Sequence, residues 1–283
     1  MIKLLVIADD FTGALDTGVQ FSKRGIPTMV STDTTFNFNE MNEEVDVLVI
    51  DTESRYLRFE EAYSLIHRII VSAKSADVPF IYKKVDSALR GNISAEIKAV
   101  LDASRATAVP FLPAYPEMNR VLIDGNLYID QILVSESVFG KDPYEPVNES
   151  NVLRRLKKEA NIDGLLIKET FPQSFNGVLL FDAKTNEDME QHVERLQQKN
   201  LLSMTVGCAG FAKILATKLF PEYEPKNYSL KKPLVVICGS VNPITKKQVD
   251  YVEQRNYPRI SLTHHQLLRS NYWFDSEGKK KVD

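Results

Sequence analysis

MIKLLVIADDFTGALDTG, residues 1–18, runs a block of aliphatic side chains, Leu4 to Ile7, into two adjacent carboxylates, Asp9 and Asp10. A Thr-Gly pair and a helix-like stretch follow, closed by Gly25 and Pro27. An aliphatic run without polar alternation fits a strand covered on both faces. Strand, turn and helix together make the first half of a βα unit, and the pattern recurs down the chain.

Near-continuous apolar runs at Lys3–Ala8, Asp46–Ile50, Phe80–Lys84, Ala108–Leu112, Gly177–Phe181, Leu202–Val206 and Leu234–Cys238 read as strands. Gly13–Arg24, Phe59–Ala76, Ser94–Ser104 and Glu187–Gln198 read as helices; in the second, Tyr63, Ile66, Ile70 and Ala73 recur with a period near that of a helix. The alternation predicts an α/β fold with a mostly parallel sheet flanked by helices. Pro113 to Val147 breaks it. There Arg120–Ile123 and Leu127–Val134 flank Asp124-Gly125-Asn126, which predicts an inserted β-hairpin. The polar, proline-containing stretch from Pro221 to Pro233 marks a boundary, with residues 1–228 as one domain and 229–283 as the beginning of a second α/β domain.

With 283 residues, 43% hydrophobic and 26% charged, the chain has ordinary globular composition and room for one large domain or two. A net charge of −3 does not point to nucleic acid as a partner. No run approaches the ~20 apolar residues that cross a bilayer. Cys208 and Cys238 lie far apart without metal-ligand spacing. The expectation is a cytoplasmic protein with free thiols, no nucleic-acid or membrane partner and a homo-oligomer left open.

In an open parallel sheet, ligands bind beyond the carboxyl ends of the strands. Asp9 and Asp10 fall there, as do Asp51, Thr52, Glu53, Ser54 and Arg55, and Lys83, Lys84, Asp86, Ser87 and Arg90. A helix cap explains one of the two leading acids but not both. Adjacent strand residues face opposite ways, so one of Lys83 and Lys84 faces the site and the other takes a salt bridge or the surface. A phospho-receiver domain would use Asp51 and Lys84, but it is a single small domain and this chain runs far past one. There is no Walker A loop, no strand-linked GxGxxG and no histidine or cysteine set with metal spacing. Carboxylates to accept hydrogen bonds from hydroxyls, arginines to pair with a carboxylate, and helix N-termini at Thr12-Gly13 and Gly91-Asn92 suit a small polyhydroxylated anion.

ADDFTGALDTG (8–18), KKVDSALRGN (83–92), PAYPEMNR with DGNLYID (113–130), FGKDPYEPV (139–147), VGCAGFA (206–212) and CGSVNPIT (238–245) together resemble the four-carbon acid sugar kinases. The motifs occur in family order over nearly the whole chain. The resemblance implies ATP- and Mg²⁺-dependent phosphorylation of threonate, erythronate or an oxo-tetronate, with a sugar-acid-binding domain before a nucleotide-binding one. It places Asp9, Asp10, Arg55, Lys84, Asp86 and Arg90 in the sugar-acid site, Asp10 and Lys84 as catalytic groups, and Ser240 where the nucleotide domain begins. Val241 and Asn242 stand where family members often carry a second small polar residue. The glycine-rich ATP loops that the resemblance implies fall beyond Asp283, so the nucleotide domain is read as incomplete. Acid binding without turnover is the alternative.

Overall fold

The computed structural model describes residues 2–38, 44–104, 106–225, 234–240 and 243–282. The chain divides into two compact units, Met1–Asn227 and Tyr228–Asp283.

The first unit is built on a parallel sheet. Its strands are β1 (Leu4–Ala8), β2 (Thr28–Ser31), β3 (Val47–Asp51), β4 (Phe80–Lys84), β5 (Ala108–Leu112), β9 (Gly164–Ile167), β10 (Gly177–Phe181) and β11 (Met204–Gly207). They run in the order β2-β3-β1-β4-β11-β5-β10-β9. Every pairing in this sheet is parallel. Helices α1 (Phe11–Ser22), α2 (Phe59–Ser75), α3 (Ile93–Ser104), α4 (Val152–Ala160), α5 (Asn186–Gln198) and α6 (Ala209–Leu219) cover it. Successive strand residues alternate between two cores. Leu5, Ile7, Leu48, Ile50 and Ile81 pack with residues of α2 and α3, such as Ile66, Ile70, Ile97 and Val100. Leu4, Val6, Val47, Val49 and Tyr82 pack with residues of α1, α5 and α6, such as Phe21, Val193 and Phe211. Two covered faces favour apolar side chains at successive strand positions, which is why the strands read as near-continuous apolar runs.

β2 and β9 are the two edges of the sheet, and sequence reading missed both. Each has one neighbour and is less deeply covered, so its sequence carries a weaker apolar signal.

The insertion after β5 is a separate antiparallel sheet of β6 (Arg120–Ile123), β7 (Asn126–Ile129) and β8 (Ile132–Leu133). Its first turn is Asp124-Gly125, with φ of +47° and +74°, the two positive angles of a two-residue hairpin loop. The expected single strand Leu127–Val134 is instead two. Asp130 and Gln131 take φ of +49° and +68° and turn the chain back on itself.

In the second unit, α7 spans Pro243–Glu253 as expected, followed by α8 (His264–Leu268) and α9 (Ser276–Val282). The expected strand Leu234–Cys238 does not form: residues 234–240 have no regular secondary structure. A strand needs a hydrogen-bonded neighbour, and the described residues of this unit contain no other strand. Its aliphatic side chains are correspondingly exposed, Ile237 at 95%.

Candidate functional site

The register of the central strands assembles the site. Ala8 of β1 lies level with Asp51 of β3 and with Lys84 of β4, and Gly207 of β11 is level with Lys84. The residues that follow these strands therefore leave the sheet at one height, on its carboxyl edge.

Arg55 is the hub. It sits in a short turn, Ser54–Tyr56, and is almost fully buried. Its Nε donates to Asp9 Oδ2 at 2.8 Å. Its Nη2 lies 2.7 Å from the same oxygen, 2.9 Å from Asp10 Oδ1 and 3.7 Å from Asp86 Oδ1. Burial opposes the guanidinium charge, but Asp9, Asp86 and Asp10 outweigh it and hold the proton more tightly than usual. Asp10 is also the N-cap of α1, accepting from the Gly13 N–H at 2.9 Å. The same acid thus caps the helix and joins the charge cluster.

Asp86 binds Arg90 in a fork, Nε to Oδ2 at 2.9 Å and Nη2 to Oδ1 at 3.1 Å, and also accepts from the Arg90 N–H at 3.1 Å. Burial alone would raise the Asp86 carboxyl; Arg90, Arg55 and Lys84 overcome it and hold it well below the usual carboxylate range. Arg90 keeps Nη1 turned towards Asp142 at 3.4 Å, and its guanidinium lies over the Phe139 ring at 5.2 Å. Asp51 shows the opposite shift: burial, opposed by the Glu53 N–H and helped by the Glu53 and Asp10 charges, raises its carboxyl to about 6.

The two lysines diverge as strand alternation requires. Lys84 turns to the α1 face, with Nζ 3.8 Å from Asp9 Oδ1. A Cβ added to Gly13 would lie 2.7 Å from that Nζ, so the first turn of α1 closes over the ammonium. Lys83 turns to the α3 face, where it is fully buried beside Glu96. Asp9 Oδ1 is buried without a hydrogen-bond donor, an acceptor left open beside a cation.

All six expected acid-site residues of the first unit, Asp9, Asp10, Arg55, Lys84, Asp86 and Arg90, form one connected chain of charges. Ser240 belongs to the second unit and lies in its irregular stretch. Sequence reading missed Glu96 and Asp142. A lysine inside an apolar strand was the available signal for a buried counter-ion on the neighbouring helix. Nothing in local pattern pairs Arg90 with Asp142, 52 positions away.

Among the described residues no three carboxylate, imidazole or thiol groups converge to hold a metal ion. Asp9, Asp10 and Asp86 are each paired with a guanidinium group instead, so this donor set does not fit a resident Mg²⁺.

A family model described as "Sugar-binding N-terminal domain" matches residues 4–215. The D-threonate kinase of Salmonella typhimurium is 29% identical over 88% of this chain and 60% of its own length. The 3-oxo-tetronate kinase of Escherichia coli is 28% identical over 90% of this chain and 70% of its own. A domain-swapped dimer from Bordetella bronchiseptica, solved with bound citrate, superposes with a TM-score of 0.68 at 25% identity, covering 96% of this chain and 70% of that one. The chain thus spans about 60% of the threonate kinase it resembles. With the site motifs in family order on a matching fold, and residues 4–215 matched to the sugar-binding domain, the chain belongs to the four-carbon acid sugar kinase family.

Proposed function

We propose that this chain supplies the acid-binding part of an ATP-dependent kinase that phosphorylates a hydroxyl of a four-carbon sugar acid of the threonate, erythronate or oxo-tetronate type. The observation that carries the proposal is the convergence of Arg55, Lys84 and Arg90 with the open acceptor Asp9 Oδ1 on one sheet edge. Cations suit the substrate carboxylate, and a buried carboxylate oxygen suits a substrate hydroxyl. The kinase names of the relatives and the citrate held by the Bordetella structure support the same class of ligand.

In such a reaction the substrate hydroxyl oxygen forms a bond to the terminal phosphorus of ATP. The bond from that phosphorus to the bridging oxygen breaks, and ADP leaves. Phosphoryl transfer depends chiefly on positioning and charge stabilisation. On this proposal Arg90 and Lys84 hold the carboxylate end, Asp9 orients a hydroxyl, and Asp10 or Asp9 takes the hydroxyl proton. Of the two, Asp9 has the oxygen without a donor, whereas Asp10 Oδ1 is committed to the Gly13 N–H and Arg55. Lys84 then also faces the charge that develops on the transferring group. ATP would meet the second unit, where Ser240 is the candidate contact, and Mg²⁺ would arrive on the nucleotide phosphates. Acid binding without turnover accounts for the same cluster, and ADP release separates the two readings.

The test is calorimetry with D-threonate and with the matching neutral polyol. Tight binding of the acid alone supports the proposal; equal affinity for both ligands overturns it. Arg90→Ala should weaken acid binding about tenfold or more, since a well-made charge-assisted hydrogen bond is worth ~1.5–3 kcal/mol.

A further inference from the structure

Directly behind the acid site, on the opposite face of β4, Lys83 and Glu96 form an ion pair, Nζ to Oε2 at 3.0 Å, with both side chains fully buried. The surrounding core is Ile7, Ile50, Ile81, Ile93, Ile97 and their neighbours. Two charges placed there lose their hydration, and a well-packed apolar pair of similar volume is commonly as stable or more so. Burial pushes the Glu96 carboxyl up against the pull of Lys83. Stability therefore does not explain why these charges are present.

Their other partners do. Lys83 Nζ donates to the Lys84 carbonyl at 2.7 Å and to the Ile7 carbonyl at 3.3 Å. Glu96 Oε1 accepts from Ser54 Oγ at 2.5 Å. Ser54 Oγ lies 2.7 Å from Thr52 Oγ1, which donates to the Ala8 carbonyl at 2.6 Å. The pair thus reaches the ends of β1, β3 and β4 at once. The bonded residues are members of the acid site or lie within three positions of one: Ile7 and Ala8 beside Asp9, Thr52 and Ser54 before Arg55, and Lys84 itself. From the α3 side the same loop is held by Asn92, whose Nδ2 donates to the Ser54, Arg55 and Leu57 carbonyls at 2.8, 3.3 and 2.6 Å.

We propose that Lys83 and Glu96 are positioning residues for the acid site. They clamp three strand ends from behind, so that Arg55 stands within reach of both Asp9 and Asp10, and Lys84 stands beside Asp9. The proposal rests on the acid-binding reading above, and a misplacement of about an ångström in such a site is enough to cost function heavily.

The deciding variant is the double substitution Lys83→Met with Glu96→Leu, which removes both charges together and leaves neither unpaired. Thermal unfolding, D-threonate calorimetry and the NMR resonance of the Arg55 Nε–H, assigned with an Arg55→Lys variant, are read side by side. The expected result is unfolding at or above the wild-type temperature. D-threonate affinity falls about tenfold or more, and the Arg55 Nε–H shifts and exchanges faster. A folded double variant with wild-type affinity and an unmoved Arg55 resonance overturns the proposal. Should the double variant not fold, Ser54→Ala cuts the Glu96 link to the Arg55 loop while sparing the ion pair, and the same two outcomes decide. If the wild-type chain binds no D-threonate, the acid-binding reading fails by itself. The Arg55 resonance then decides the positioning role alone.

Discussion

Gly91 sits at φ +82°, and a Cβ there would lie 2.8 Å from Arg55 Cγ and 3.2 Å from the Arg55 carbonyl oxygen. The Arg-Gly-Asn turn thus lets two site loops touch backbone to backbone. Gly91→Ala should cost ~1–2 kcal/mol from the left-handed backbone alone. By displacing Arg55 it should also weaken acid binding, which chemical denaturation and calorimetry on one sample would separate. Asp51 gives a pH signature. Its folded carboxyl titrates at about 6, above the ~3.9 of an exposed aspartate. The fold binds this proton more tightly than the unfolded chain does. The stabilising contribution is therefore complete below about pH 4 and is lost as pH rises through about 6. Asp51→Asn, which keeps an acceptor for the Glu53 N–H, should gain stability relative to wild type as pH rises across that window. A pH-independent difference in unfolding free energy would show that Asp51 is not the titrating group. Asp86 runs the other way. Its depressed carboxyl contributes above the unfolded value near 3.9, and that contribution is lost as pH falls below it.

Among the elements, the turn of the β6–β7 hairpin has both its N–H groups held by one side chain from outside it. Asp182, just past β10, accepts the N–H groups of both turn residues, Asp124 at 2.7 Å and Gly125 at 2.9 Å. Asp182→Ala leaves both without that partner and should destabilise the first unit by ~1–3 kcal/mol. Hydrogen exchange at Asp124 and Gly125 should accelerate; unchanged protection there would mean the turn holds without Asp182. The hairpin was legible because Asp-Gly tolerates two positive φ angles, a local requirement with a local sequence mark. The double-covered strands β1, β3, β4, β5 and β10 were legible because burial on both faces demands uninterrupted apolar runs. The edge strands β2 and β9 carry no such demand. The Leu234–Cys238 run shows the converse: an apolar run announces strand propensity, but pairing is decided by a neighbour elsewhere. The site divides in the same way. The convergence of Asp9, Asp10, Arg55, Lys84, Asp86 and Arg90 was readable because strand ends in a parallel sheet point to one edge. Asp142 meets Arg90 from a distant loop and Glu96 meets Lys83 from a helix behind β4, and only tertiary packing makes either pairing.

At the scale of the whole molecule, every residue of the charge chain lies within Met1–Asn227, and so do Lys83 and Glu96 behind it. Both apolar cores of the sheet are drawn from that unit as well. The cations and the open carboxylate oxygen described above all belong to this first unit. A polypeptide of residues 1–225 should fold cooperatively and bind D-threonate with the affinity of the 283-residue chain. It should also show the same ligand-dependent rise in Tm, because ligand that binds only the folded state stabilises it by mass action. Calorimetry and thermal unfolding of the two polypeptides at equal ligand concentration make the comparison. A loss of about tenfold in affinity, ~1.4 kcal/mol, would show that the second unit completes the acid site. Retained affinity would confine acid recognition to the first unit.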